Sequence, residues 1–510
     1  MKTSVINYLE ETSSRFPDKI AYKDSNEEIS FHSLVNFGKR IGTKIARIID
    51  RRNPVVIYMK KNVQNIECFY GAAYAGCFYI PIDDAMPIDR VKLILATVEP
   101  KVIIYDQFTE KKVAVLGYNG ISFMFEEAIA EQIDHELIAE RVFNTKTTDL
   151  LYVLFTSGST GIPKGVTISH AAVIDFMEWM IEKYAMDENT SLCNQAPFYF
   201  DASVPDIYIP IACGATTYIP PKSFYTFSRK IIEYIIENTI NTLIWVPSAL
   251  CNVVDNKVFD FLAPDCVKRV IFCGEVMPCK YLNKWRKAVP DAKYVNMYGP
   301  TEATYACMYY EINKEFSDED TLPIGKACEN VEIQLMDEGR KVEPGEIGEI
   351  CILGQCLSNG YYRDKERTNA AFCQNPENTG WNELMYCTGD LGILGNDGII
   401  NFVGRKDFQI KKNGFRIELG EIENALRSDP KVENACCVFD DENKIICAVY
   451  SGSLNECEID AAVKGKLQKY MVPDRYIKLD KLPSNLNGKV DRMMIKKMAF
   501  EKTVSSYEEG

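Results

Sequence analysis

Histidine is almost missing: only His32, His135 and His170 occur in 510 residues, far apart in the chain. That excludes a histidine-built metal cluster, and no Ser-His-Asp arrangement can be assembled. His170 reads as the start of a helix rather than a catalytic base. The 18 cysteines contain no CxxC pair, so neither a zinc ribbon nor a redox dithiol is indicated. They read as small buried hydrophobes. No apolar run is long and uncharged enough to span a bilayer. The N-terminus, MKTSVINYLEETSSRFPDKIAY, carries acidic residues and polar breaks and lacks the apolar core of a signal peptide. The reading is therefore a cytoplasmic protein with no membrane insertion. Positive charge is in deficit, 58 basic against 72 acidic residues for a net charge of −14, which argues against a nucleic-acid partner.

What is present is a soluble globular composition, 46% hydrophobic and 25% charged, in a chain long enough for roughly three domains. Residues 1 to 50 read as two amphipathic helices around an extended piece, Lys19 to Tyr22. From Val55 strands and helices alternate: strand 55–58, helix 63–75, strand 77–82, helix 87–98, strand 102–105. Such alternation predicts parallel βαβ units. A helical stripe covers 171–184, and a second α/β region follows, with helix 229–238 and strands 242–246, 269–272 and 294–297. From Leu322 the chain turns β-rich (331–335, 347–353, 399–403), predicting a small antiparallel or barrel-like unit. Beyond Arg405 helix 421–427, strands 435–439 and 445–450 and helix 459–470 predict a compact α+β segment. The expected fold class is thus multi-domain α/β.

Between these elements lies YVLFTSGSTGIPKG, Tyr152 to Gly165. A buried strand empties into Thr, Ser and Gly, closed by Pro163, Lys164 and Gly165. Small residues let backbone N–H groups and hydroxyls approach an anion, and a lysine adds a point charge. Two readings stay open on composition: a loop that wraps nucleotide phosphates, and a surface loop rich in turn residues. It is not a Walker A sequence, because Pro163 stands where the second glycine would be needed.

Five further segments stand out: NQAPFYFDASVPDIYIP (194–210), NMYGPTEA (296–303), YCTGD (386–390), GRKDFQIKKNGFRIE (404–418) and LPSNLNGKVDR (482–492). With TSGSTGIPKG they come in the order and approximate spacing of the adenylate-forming superfamily, which includes acyl-CoA synthetases, luciferases and the adenylation domains of nonribosomal peptide synthetases. The chain resembles that family over nearly its whole length. The resemblance implies a large N-terminal domain (1–405) of α/β subdomains plus the barrel-like unit. It also implies a small, mobile α+β C-terminal domain (406–505) beyond a hinge at Asp407, with a tail at 506–510.

Residue by residue, the resemblance implies ATP and Mg²⁺ as cofactors. Thr156, Ser157, Gly158, Ser159, Thr160, Gly161 and Lys164 would form the phosphate loop. Tyr298, before the Gly299-Pro300 turn, would stack on adenine, with Asn296 reading its amino edge and Met297 beside it. Thr301 would hold the α-phosphate. Glu302, a hard oxygen donor, would be the metal ligand, since Mg²⁺ takes one or two carboxylates plus phosphates. Asp390 would accept from the ribose diol and Arg405 would contact the nucleotide. Lys489 would be catalytic with Thr301 and Glu302, offsetting charge between the substrate carboxylate and the α-phosphate.

Asp201 stands where the amino-acid-activating branch pairs a carboxylate with the substrate α-ammonium; buried without a cation it would be costly. Ala202, Pro205, Trp245, Ile271, Cys273, Met297, Tyr305 and Ala306 align with the pocket. The size of Trp245, Met297 and Tyr305 predicts a small substrate side chain. NQAPFYFD with Ser203, Val204 and Asp206, then FCGEVMP (272–278), resembles the branch that loads D-alanine for decoration of teichoic acids; Cys273 falls where that branch faces the D-alanine methyl. Ala202 and Pro205 replace larger hydrophobes there, and Tyr305 a small aliphatic residue. The expected function is activation of a small amino acid, D-alanine first, and its transfer to the phosphopantetheine thiol of a separate carrier protein, with Gly414 near the thiol tunnel. A freestanding peptide-synthetase adenylation enzyme for another small amino acid, and a non-catalytic nucleotide-binding protein, are the alternatives. No Gly-Gly-x-Ser carrier site follows Lys489.

Overall fold

The alternation that begins near Val55 builds a six-stranded sheet in the order Ile121–Met124, Val102–Tyr105, Pro54–Met59, Phe78–Asp83, Leu150–Thr156 and Lys164–Ser169. Its central pairs are parallel. The strand Pro54–Met59 is buried along its whole length, as its unbroken apolar sequence requires for a sheet covered on both faces. This is a computed structural model, and it describes residues 2–158, 163–483 and 490–500. The chain divides into two units: one of residues 1–85, 95–155 and 165–406, the other of residues 86–94, 156–164 and 407–510.

The first unit holds a second, nine-stranded sheet. Its order is Lys326–Ala327, Met308–Glu311, Lys293–Tyr298, Arg269–Cys273, Thr242–Trp245, Ser191–Cys193, Thr216–Tyr218, Ile20–Lys23 and Glu28–Ser30. The N-terminal helices Val5–Arg15 and Phe31–Ile48 pack against the same core. His170 opens the helix His170–Tyr184, as the sequence predicts, and its Nδ1 accepts the Val5 N–H at 3.3 Å. The β-rich region forms an antiparallel sheet of six strands. The long strand Leu384–Leu394 pairs with Ile347–Gly354, Phe372–Gln374 and Ile400–Arg405, and Val331–Asp337 extends the sheet.

In the second unit, Lys412-Asn413-Gly414-Phe415 closes a hairpin between Gln409–Lys412 and Phe415–Glu418. Asn413 and Gly414 both have positive φ, 54° and 79°, the pair of angles that a two-residue primed turn needs. Helices Leu419–Arg427, Glu456–Lys464 and Arg492–Phe500 accompany the sheet of Val432–Asp440, Ile445–Gly452 and Arg475–Lys478. One predicted helix needs correction: 459–470 ends at Lys464, with Gly465 as its C-cap, and begins at Glu456 behind an Asn455–Glu458 capping box. Ile459, Val463 and Leu467 lie at helical spacing within 459–470, and all three are buried in one core with Met471. The last two reach that core from a turn and a 3₁₀ segment.

Candidate active site

The strand Lys293–Tyr298 is internal to the nine-stranded sheet, running parallel to Arg269–Cys273 and antiparallel to Met308–Glu311. It delivers three of the predicted residues in succession. Asn296 is buried and donates from Nδ2 to the Pro323 carbonyl at 2.8 Å. Met297 lies on the opposite face, in register with Cys273. The Tyr298 hydroxyl donates to Asp390 Oδ2 at 2.5 Å; burial, then the Asp390 charge, hold its pKa well above the usual phenol value.

Asp390 faces Arg405 across an antiparallel strand pair, and Arg405 Nη1 donates to Asp390 Oδ1. Arg405 Nη2 also donates to the Thr388 carbonyl at 3.2 Å. The Thr388 hydroxyl accepts from the Asp390 N–H at 3.0 Å and donates to the Ile350 carbonyl at 2.7 Å. Tyr298, Asp390 and Arg405, far apart in sequence, therefore form one bonded cluster.

After Tyr298 the chain doubles back. A Cβ on Gly299 would lie 2.5 Å from both Ala306 Cα and the Tyr305 carbonyl oxygen, so only glycine fits. Thr301–Ala303 is a single 3₁₀ turn. Thr304 and Tyr305 then take positive φ, 65° and 135°, angles that L side chains pay for unless their surroundings fix them. The fixing contacts are the Cys307 N–H to the Tyr298 carbonyl at 2.9 Å and the Thr304 hydroxyl to the Cys356 carbonyl at 2.6 Å.

That turn carries two of the predicted site residues, Thr301 and Glu302. The Thr301 hydroxyl donates to Asp201 Oδ2 at 2.6 Å. Glu302 is fully buried and accepts from the Tyr361 hydroxyl at 2.8 Å, while its carbonyl accepts the Ser358 N–H at 2.8 Å. A carboxylate held this way is the hard oxygen donor that suits Mg²⁺. Tyr361 was invisible in the sequence: SNGYY carries no signal of its partner.

Asp201 opens the 3₁₀ turn Asp201–Ser203, which runs into the helix Val204–Cys213 with Ala202 and Pro205 at the junction. Ile271, Cys273, Met297, Tyr305 and Ala306 belong to one buried cluster. The Tyr305 ring meets Phe176 edge-on at 5.6 Å, and its phenol is pushed up by burial first, then by Cys273, Asp201 and Asp206. Asp206 accepts from Asn194 Nδ2 at 2.7 Å. Burial raises Asp206 to about 7, against the pull of Asn194 and Lys61.

Trp245 is the exception. It pairs in register with Phe272 and joins the other apolar cluster, bonding the Cys193 carbonyl through Nε1 at 2.9 Å. Neighbouring residues of a strand point to opposite faces. Trp245 therefore does not share a face with Ile271 and Cys273, and Met297 and Tyr305 are the large side chains that remain beside them.

In the second unit, Thr156 ends its strand with Oγ1 buried and without a hydrogen-bond partner among the described residues. Ser157 Oγ donates to the Arg416 carbonyl at 2.9 Å and accepts the Glu418 N–H at 3.2 Å. The Gly158 N–H donates to Glu421 Oε2 at 3.1 Å, and Arg90 Nη1 donates to the other oxygen of the same carboxylate. Burial raises the Glu421 pKa even so, outweighing Arg90 and the Gly158 N–H. Lys164 opens the strand Lys164–Ser169. Ser159, Thr160, Gly161 and Lys489 lie outside the described residues.

A family model for AMP-binding enzymes matches residues 9–362, and one for the AMP-binding enzyme C-terminal domain matches residues 421–489. The chain belongs to the AMP-binding enzyme family. It is accordingly an adenylate-forming enzyme of mixed α/β fold. It is 30% identical over 512 residues to a D-alanine–D-alanyl carrier protein ligase of Listeria monocytogenes, covering 96% of this chain and 98% of that one. It is 29% identical to tyrocidine synthase 1 of Brevibacillus parabrevis, covering 96% of this chain and 44% of the synthase. The Vibrio cholerae adenylation domain AlmE, solved with glycyl-adenosine-5'-phosphate, has the same fold, with a TM-score of 0.83 at 19% identity and 98% of each chain covered.

Proposed function

We propose that this AMP-binding enzyme activates a small amino acid, D-alanine first, as the aminoacyl adenylate and passes it to the phosphopantetheine thiol of a separate carrier protein. The observation that carries the reading is the Thr301–Asp201 hydrogen bond of 2.6 Å. It sets an acceptor for the substrate ammonium beside the hydroxyl assigned to the α-phosphate. The likeness to the Listeria ligase, which spans nearly both chains, supports D-alanine and the carrier protein.

In the first step the amino-acid carboxylate attacks the α-phosphorus of ATP, and pyrophosphate leaves. Asp201 orients the ammonium, Thr301 holds an α-phosphate oxygen, and Lys489 offsets the charge developing between carboxylate and phosphate. Tyr298, Asn296, Asp390 and Arg405 hold the nucleoside, and residues 156–161 with Lys164 hold the β and γ phosphates. Glu302 would hold Mg²⁺, which when bound neutralises phosphate charge. In the second step the thiol attacks the acyl carbon and AMP leaves. We place the hinge between the two half-reactions at Asp407, and the working domains at 1–405 and 406–505.

A freestanding peptide-synthetase adenylation enzyme for another small amino acid is the second reading, favoured by the match to tyrocidine synthase 1. Pyrophosphate exchange across an amino-acid panel separates the two. Preference for D-alanine supports the first, preference for another small residue supports the second, and no exchange with any amino acid overturns both. With the preferred substrate, Lys489→Ala is expected to lose adenylation.

A further inference from the structure

Three thiols that are far from CxxC spacing meet on one face of the antiparallel sheet. Cys351 lies directly opposite Cys387 in the strand pair, and Cys373 reaches Cys387 diagonally from the edge strand. Cys387 Sγ stands 3.3 Å from Cys373 Sγ and 3.8 Å from Cys351 Sγ. Met336, Leu353 and Met385 surround them. Cys373 and Cys387 are half-buried, whereas Cys351 is buried. Cys387 is also the second residue of YCTGD, so its backbone runs straight into Thr388 and on to Asp390.

We propose that Cys387 is a thiol-oxidation site with Cys373 as its resolving partner, and that closing the Cys373–Cys387 disulfide weakens nucleotide binding through Thr388 and Asp390. Both thiols reach the surface in part, so a small hydroperoxide can approach. The neighbouring thiols favour the anion at Cys387: hydrogen bonding from Cys351, joined by Cys373 and by the charge of Lys406, lowers it to about 7 against burial and Glu349. The thiolate is the nucleophile. Its sulfur attacks the peroxide, an S–O bond forms, the O–O bond breaks, and the distal oxygen leaves as hydroxide or alkoxide. The Cys373 sulfur then attacks the sulfenic sulfur; the S–S bond forms, the S–O bond breaks, and the departing hydroxide takes the Cys373 proton as water. Two thiols are oxidised and one hydroperoxide is reduced.

Closure shortens the 3.3 Å separation to about 2.05 Å, which draws Cys387 toward the edge strand. Thr388 holds Arg405 through its carbonyl and the Asp390 N–H through its hydroxyl, and the Gly389 N–H is tied to Glu349 at 2.8 Å. Displacing Cys387 therefore bears on the Asp390–Arg405 pair. This second half rests on the nucleotide role proposed for those residues, and the covalent half does not.

The test treats the full-length enzyme with limiting hydrogen peroxide, alkylates free thiols, and maps linked peptides by mass spectrometry. ATP affinity is read by calorimetry, so that no amino-acid substrate is needed. The expected result is a Cys373–Cys387 peptide and ATP binding weakened by about fivefold or more, both reversed by dithiothreitol. Cys373→Ser should leave a dimedone-reactive sulfenic acid at Cys387 with no link, and Cys387→Ser should abolish both changes; near-ultraviolet dichroism checks that each variant is folded. A link through Cys351, or oxidation confined to the exposed Cys457, overturns the site. Formation of the link with unchanged ATP affinity overturns its effect on the nucleotide.

Discussion

Thr301 and Asp201, a hundred positions apart in the chain, share a hydrogen bond of 2.6 Å. One residue comes from a strained turn after a sheet strand, the other from the start of a helix. Their meeting joins the groups assigned to the two reacting partners. Asp201→Asn keeps the shape and removes the charge, so the amino-acid KM should rise about 10–100-fold with little change in the KM for ATP. Thr301→Ala should instead lower kcat by about 10²–10³. Steady-state pyrophosphate exchange separates the two; equal effects on both substrates would contradict the assignment.

The Asp390–Arg405 pair is nearly closed to water, with side chains 4% and 12% exposed. Asp390→Ala removes the carboxylate that faces the nearly buried guanidinium and accepts from the Tyr298 hydroxyl. The cost should be about 3–5 kcal/mol of stability, along with a raised KM for ATP. Urea unfolding and exchange kinetics measure both. Tyr298→Phe, which removes only the hydroxyl, should cost about 1 kcal/mol.

Tyr361 touches Glu302 and acts through it. Tyr361→Phe should raise the Mg²⁺ concentration needed for half-maximal exchange several-fold, and restoring Mg²⁺ should recover the rate. Glu302→Gln should not be rescued by Mg²⁺. If the tyrosine variant shows the wild-type Mg²⁺ titration, its role in positioning Glu302 fails.

His170 sets an acid limit. Burial pushes its pKa down to about 4, with Asp149 opposing. The unfolded chain binds a proton there near 6.5 and the folded chain does not, so the neutral ring stabilises the fold above about 6.5. That stability is lost as pH falls from about 6.5 to about 4, on the order of 3 kcal/mol. Urea unfolding across this range should show the slope, and His170→Gln should flatten it. An unaltered slope in the variant would assign the acid sensitivity to other groups.

The fold was legible wherever one strand or helix buried one unbroken apolar set. Pro54–Met59, Val102–Tyr105 and Arg269–Cys273 fall within a residue or so of where periodicity put them. Periodicity misled where burial outlasted the helix, at Leu467. It was also silent on Arg492–Phe500, whose only buried residues are Ile495 and Ala499. The site residues could be named from motifs, but not their partners. Nothing in the sequence ties Tyr361 to Glu302 or Tyr298 to Asp390, because those bonds are set by how distant strands and turns pack in the fold. Cysteine spacing likewise did not indicate the dithiol that cross-strand pairing creates.

The tight return at Gly299 divides the residues proposed for the pocket into two groups with different freedom to vary. Ile271, Cys273 and Met297 project from regular sheet strands, so their side chains can be exchanged without touching the backbone. Tyr305 and Ala306 ride on the reversed segment that fills the space beside Gly299, and a change there must also satisfy that backbone. A search for altered substrate scope should therefore begin at the three sheet positions and keep the loop as its fixed frame.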